Sequence, residues 1–186
     1  IVVTIVLVGM GLPLLHVRIS APDASVLTSQ SPSRRAYEIL QTEFGEGSVA
    51  PLFVAIKFPR SALHSRSIAE MYAFTRALES DERVNRVDSI VSIDSRITLP
   101  EYQLLYSDPD RIPDPYAAGF ASVFINDRTA IVAIEPTSGS SSQEARELVY
   151  AIRNYRDSMG LDALVGGGAA GLTDFVDRQS SRLFPT

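Results

Sequence analysis

The segment PLFVAIKF, residues 51–58, decides the fold that this sequence predicts. Lys57 is the one charged residue in a run of apolar, β-prone side chains, and Pro59 follows the run. A short apolar run that ends at proline is typical of a buried strand. Because neighbouring side chains point to opposite faces of a strand, this run is apolar on both faces. We therefore expect it to lie at the centre of a sheet.

Helical patterns flank this strand along the chain. Ser31 followed by Pro32 is typical of a helix start, and Gly45 and Gly47 end that helix. Further helical stripes cover residues 67–79, 145–159 and 169–182. Either Ser141 or Ser142 can cap the third of these four helices, and Gly160 ends it.

Three further regions alternate or are rich in β-prone residues. Residues 84–93 predict a half-buried strand, and residues 161–165 predict a short one. Residues 120–125 and 129–135 predict a hairpin that turns at residues 126–128. The resulting order is strand, helix, strand, hairpin strand, helix, strand. This βαββαβ order predicts an α+β, ferredoxin-like fold with its first and third strands at the centre.

Residues 96–119 form a long, proline-rich connection with short helical pieces at best. Long connections in compact domains are often functional. Its apolar and aromatic residues are Leu99, Tyr102, Leu104, Leu105 and Tyr106. They predict either a lining for a substrate path, a docking surface for a neighbouring domain, or a loop packed on its own sheet.

Residues 1–17, IVVTIVLVGMGLPLLHV, contain no Asp, Glu, Lys or Arg, and Arg18 is the first charged residue of the sequence. A membrane-spanning helix needs about 20 apolar residues. The run also lacks the basic start of a signal peptide. We interpret it as the outer part of a membrane helix whose beginning has been cut off, with residues 18–31 as a linker. A buried core helix and a damaged signal peptide are the alternatives.

Composition excludes several functions. There is no cysteine, so thiol catalysis and thiolate metal sites are excluded. The net charge is −5 with scattered basic residues, which argues against nucleic-acid binding. His16 and His64 lie far apart, and no partners for a metal site or a triad are evident. We therefore expect no enzyme activity, no cofactor and no metal.

Two small patterns have competing explanations. Gly166, Gly168 and Gly171 match a dinucleotide fingerprint, yet no strand follows them in the sequence, which favours a tight strand-to-helix crossing. Asp174 and Asp177 share a helix face and could bind a cation, although a solvated face is the more common arrangement.

Several segments resemble the extracytoplasmic domain of MMPL transporters, in the resistance-nodulation-division (RND) superfamily. The beginning of that domain resembles three segments here, which are residues 31–36 (SPSRRA), residues 43–45 (EFG) and the strand that starts at residue 51. One departure is that the family often has an acidic residue and a Leu-Pro before the Ser-Pro, whereas residues 26–30 (VLTSQ) stand there in this chain. Residues 182–185 (RLFP) are similar to the entry into the second membrane helix. The motif that resembles the end of the domain comprises Gly166, Gly167, Gly168, Ala169, Ala170 and Asp174.

The resemblance implies a ferredoxin-like porter subdomain at residues 32–168 and a helix at 169–186 that leads into a second membrane helix. It implies proton-driven export of lipids or other hydrophobic molecules across the inner or plasma membrane, with this domain on the extracytoplasmic side. The implied partners are the bilayer, the hydrophobic substrate, the remainder of the transporter chain and, in a homo-oligomer, further copies. A membrane-anchored ligand-binding or sensor domain with the same fold is the alternative.

Overall fold

A computed structural model describes residues 24–108 and 111–183. The helices in these ranges are α1 (Pro32–Phe44), α2 (Ser65–Glu79), α3 (Leu99–Leu105), α4 (Pro115–Phe124), α5 (Gln143–Ser158) and α6 (Gly168–Leu183). The strands are β1 (Leu52–Lys57), β2 (Val84–Asp88), β3 (Ile125–Asn126), β4 (Thr129–Pro136) and β5 (Ala163–Gly167).

The strands form one antiparallel sheet in the order β2-β4-β1-β5, and the short β3 pairs with β4. The α+β class is confirmed, and so is the central position of the first and third predicted strands, which are β1 and β4. In β1, Leu52 pairs with Ile134 on one side and with Gly167 on the other. The start of β1 and the end of β5 therefore lie at the same end of the sheet.

Helices α2 and α5 supply much of the core against one face of the sheet. Leu52, Val54 and Ile56 point into this core and are fully buried. Apolar side chains at helical spacing in α2 and α5 are buried as well, and they are Ile68, Met71, Phe74, Leu78, Ala145, Leu148, Val149 and Ile152. Burial of each large side chain stabilises the fold by roughly 1.5–3 kcal/mol.

Strand β1 is apolar on both faces but is buried on only one. Its side chains alternate between buried and exposed along the strand. Phe53 and Ala55 point away from the core, and Phe53 is 46% exposed. The cause is that both core helices lie on one side of the sheet, so the second apolar face of β1 has no cover within the described residues.

The predicted strand over residues 84–93 was too long, because β2 ends at Asp88. Beyond it the chain turns on Ser89, whose Oγ accepts a hydrogen bond from the Val91 amide at 3.2 Å. The Ser89 amide in turn donates to Ser92 Oγ at 2.8 Å. Serine side chains that bond to nearby backbone groups compete with a strand ladder in this way. Val91 is buried in the core although it lies beyond the end of β2.

The predicted strand at residues 120–125 was wrong for most of its length, because residues 115–124 form α4. Asp114 caps this helix, and its Oδ1 accepts a hydrogen bond from the Ala117 amide at 2.8 Å. Ala117 and Ala121, one helical turn apart, are the buried residues of α4. The hairpin itself is confirmed in a shorter form, with the two residues of β3 opposite the start of β4.

Local signals placed the other helix ends well. Ser142 caps α5 by accepting the Ala145 amide at 2.9 Å, and Gly160 follows α5 with a φ of 64°. Within residues 24–108 and 111–183, no helix combines the length and apolarity needed to cross a membrane. The membrane helix predicted at residues 1–17 lies outside the described residues.

Candidate functional site

The outward-facing side of the sheet carries an apolar surface built by three adjacent strands. Cross-strand pairs place Phe53 beside Ala133 and Gly166, and Ala55 beside Ile131 and Leu164. Directly paired residues share one face of a sheet. We call these residues the outer sheet face, and its members are Phe53, Ala55, Ile131, Ala133, Leu164 and Gly166.

The large apolar side chains of the outer sheet face are exposed to solvent. Leu164 is 73% exposed, Phe53 46% and Ile131 37%. Scattered apolar residues are normal on a protein surface, but contiguous apolar patches mark contacts with another molecule or domain. The outer sheet face is contiguous because the register brings its members together.

Charged residues border the outer sheet face on its β2 side. Arg86 forms ion pairs with Asp88 at 3.1 Å and with Glu135 at 3.6 Å. The side-chain Nδ2 of Asn85 also donates to Glu135 Oε1 at 2.6 Å. An apolar centre with a polar, hydrogen-bonded rim is the usual anatomy of a protein contact surface. The arrangement can bind an apolar partner surface.

The aromatic residues of the connection at 96–119 lie apart from this surface. Tyr102 and Tyr106 are fully buried, and their rings stack with centroids 6.5 Å apart. The Tyr102 hydroxyl donates to the Asp94 carbonyl, and the Tyr106 hydroxyl donates to the Ile90 carbonyl, each at 3.0 Å. Burial raises the pKa of both phenols. The two tyrosines therefore anchor α3 on the core.

The other three residues of that predicted loop divide between core and surface. Leu99 and Leu105 are half-buried and pack against the core. Leu104 is 75% exposed. Of the five predicted residues, Leu104 is thus the one presented to solvent, and a docking or substrate-lining role for this connection stays a prediction.

The glycine motif has a backbone explanation in the structure. Gly166 and Gly167 end β5, and Gly168 opens α6. Gly167 has a φ of 114°, and a Cβ there would lie 2.6 Å from the Pro51 carbonyl oxygen. Only glycine fits such a position, because L side chains disfavour this φ and the strand backbone leaves no space. This geometry favours the strand-to-helix crossing over a nucleotide site.

The remaining residues of the motif connect α6 to the rest of the domain. Ala169 and Ala170 are buried at the start of α6. Asp174 forms an ion pair with Arg153 of α5 at 2.7 Å. Asp177 accepts a hydrogen bond from the Tyr150 hydroxyl at 2.6 Å, which raises the pKa of that phenol. The two aspartates hold α6 against α5.

His64 also has a structural role, because its Nδ1 accepts the Arg66 amide at 3.2 Å and caps α2. Among residues 24–108 and 111–183, no group of three or more histidine and acidic side chains could hold a metal ion. His16 lies outside these ranges.

Sequence reasoning missed the outer sheet face. The signal was present, since Phe53, Ile131 and Leu164 occupy alternate positions of three strands that the predicted topology makes neighbours. One-residue changes of register move a side chain to the other face, so the surface could be recognised only once the register was known.

The chain is similar to the membrane protein YdfJ of Bacillus subtilis (strain 168), with 23% identical residues over 174 aligned positions. The alignment covers 94% of this chain and 20% of YdfJ, so the chain spans about a fifth of the length of that relative. No family model matches the chain.

Proposed function

We propose that this chain is a ferredoxin-like porter subdomain of a proton-driven MMPL-type exporter in the RND superfamily. Its substrates would be lipids or other hydrophobic molecules. The domain would stand on the extracytoplasmic side of the inner or plasma membrane, between a first membrane helix at residues 1–17 and a second one that begins near residue 185. It would bind and guide substrate without enzymatic chemistry.

The observation that supports this proposal most is where the chain enters and leaves the sheet. The first residue of β1, Leu52, pairs with Gly167 at the end of β5. A domain inserted between two membrane helices must return its chain toward the surface from which it came. The pairing of Leu52 with Gly167 supports such a return, because it puts the start of β1 and the end of β5 at one end of the sheet, and α6 starts directly after it.

The outer sheet face and the comparison give further support. A subdomain of a larger transporter packs against neighbouring parts of the same chain, and Phe53, Ile131 and Leu164 offer an apolar surface for such packing. The relative YdfJ is named as a membrane protein and is about five times as long as its aligned part. A chain of that size leaves ample length for membrane helices and further subdomains.

The test is efflux from cells that express the full-length protein. The probe is N-phenylnaphthylamine, a hydrophobic dye that fluoresces in membranes. We expect expressing cells to retain less dye than cells without the gene, and we expect a protonophore to abolish the difference. A full-length reading frame without further membrane helices, or unchanged dye retention together with unchanged lipid export, would contradict the proposal and favour an anchored sensor domain.

Two matched substitutions locate the packing surface. Leu164→Arg places a charge on the outer sheet face, and Leu104→Arg places one on α3, where the exposure is 75% compared with 73% at Leu164. We expect Leu164→Arg to reduce efflux at least several-fold, because burying an unpaired charge is costly, while Leu104→Arg leaves efflux unchanged. The reverse result would assign docking to the connection at 96–119.

A further inference from the structure

Helix α1 is an amphipathic element without cover in the described structure. None of its residues is buried. Its exposed apolar side chains include Phe44 at 65%, Ile39 at 60% and Leu40 at 44%. A helix of 13 residues is marginally stable in water on its own, and helices of this kind gain most of their stability by packing an apolar face. Helix α1 therefore needs a partner.

The apolar side of α1 borders an open groove. The groove has a volume of about 680 Å³ and runs between α1 and the short turns before and after it. Its lining includes Ala24, Ala36, Leu40, Phe44 and Val49. Val26 and Leu27, beside the same helix, are 69% and 42% exposed. We call this surface the α1 groove.

We propose that the α1 groove binds the surface of a lipid bilayer, so that α1 lies at the level of the lipid headgroups. The inference rests on the proposed function, specifically on residues 1–17 being a membrane helix. Residues 18–24 can span at most about 25 Å when fully extended. Ala24, which lines the groove, is thereby tethered within that distance of the bilayer.

The charges of α1 fit a shallow position in the headgroup region. Arg35 is exposed one helical turn before Ile39, and a guanidinium there can reach lipid phosphate. Glu43 follows Ala36 by seven residues and so lies on the same side of the helix. A carboxylate disfavours deep burial in hydrocarbon. The helix is therefore expected to lie in the interface plane rather than to insert.

The test uses the absence of tryptophan from this chain, which makes any introduced tryptophan a specific reporter. Phe44→Trp places the reporter in the α1 groove. Tyr116→Trp is the matched control, because Tyr116 is also helical and exposed, at 62% compared with 65% for Phe44. Residues 1–186 are reconstituted into vesicles of phosphatidylcholine and phosphatidylglycerol, with and without acyl-brominated phosphatidylcholine. Circular dichroism verifies that both variants are folded.

We expect the emission of the Phe44→Trp variant to shift to shorter wavelength and to be quenched several-fold more strongly by brominated lipid than that of the Tyr116→Trp variant. In one outcome, the protein stays with the vesicles after an alkaline wash while both variants are quenched equally and weakly. That result would overturn the α1 proposal alone. A blue shift without bromine quenching would also overturn it, because protein would then fill the groove. Protein that the wash removes would overturn the membrane anchor and this inference together.

Discussion

At the scale of single residues, two glycines make the closest backbone approaches. Gly47 lies against Pro136, and a Cβ at Gly47 would fall 1.6 Å from the Pro136 carbonyl oxygen. Gly167 lies against Pro51 with a positive φ. Both contacts are at the end of the sheet where the chain enters and leaves. These positions require glycine because of non-local backbone neighbours, which a sequence pattern alone does not reveal.

Gly167→Ala is expected to destabilise the domain by about 2 kcal/mol or more, because a strained φ costs 1–3 kcal/mol and the added Cβ collides with backbone. Gly171→Ala is the control, since no atom outside the neighbouring backbone of its own helix lies within 4 Å of its added Cβ and alanine favours a helix by about 0.8–1 kcal/mol over glycine. Urea unfolding followed by circular dichroism measures both. Equal stability of the two variants would disprove this explanation of the motif.

At the scale of elements, Asp81 connects the turn before β2 to α5. Arg83 donates to the Asp81 carboxylate through Nε at 2.8 Å and Nη2 at 2.7 Å. The Tyr155 hydroxyl of α5 donates to the same carboxylate at 3.3 Å. The hydrogen bonds from Arg83 lower the pKa of Asp81 below its ordinary value of 3.8. The ionised form therefore stabilises the fold.

This lowered pKa predicts a pH dependence with a definite sign. The stabilisation is present above the unfolded-state pKa near 3.8 and is lost as the pH falls below it, through the lower folded-state pKa. Asp81→Asn should lower the free energy of unfolding at pH 7 by about 1.5–3 kcal/mol and should flatten its decline in acid. Thermal melts from pH 7 to acid measure the slope. A decline in acid that is as steep in Asp81→Asn as in the wild type would contradict the assignment.

At the scale of the whole molecule, the sheet has two unequal sides. One side is covered by helices and holds the core, and the other presents Phe53, Ile131 and Leu164 to solvent. The chain begins β1 and ends β5 at one end of this sheet, and the loop at Pro59 and Arg60 lies at the opposite end. In the proposed transporter, that opposite end would stand farthest from the membrane.

Residues 1–186 contain no cysteine, so an introduced cysteine can report by chemical labelling on which side of the membrane the domain stands. Arg60→Cys, in full-length protein whose other cysteines are replaced, should react with a membrane-impermeant maleimide in intact spheroplasts as fully as after lysis. Ala130→Cys is the control, because Ala130 is fully buried and should remain unlabelled until the protein is denatured. Labelling of Arg60→Cys only after lysis would place the domain in the cytoplasm.

The sequence by itself determined the order of the main elements and most helix ends. Apolar spacing, Ser142 and Gly160 are local signals, and they act through neighbours within a few residues. That is why the βαββαβ order, and with it the central β1 and β4, could be predicted from the sequence. The strand-to-helix crossing expected at the glycine motif is present, because β5 ends at Gly167 and α6 begins at Gly168.

Only the tertiary structure decided what packs against what. Residues 120–124 are rich in β-prone side chains, yet they are helical in α4, which buries Ala117 and Ala121. Phe53 is as apolar as Leu52, yet one is exposed and the other is buried. These outcomes depend on which face the helices cover, and that choice is made by residues far apart in the chain. The outer sheet face and the α1 groove therefore became evident only from the tertiary structure.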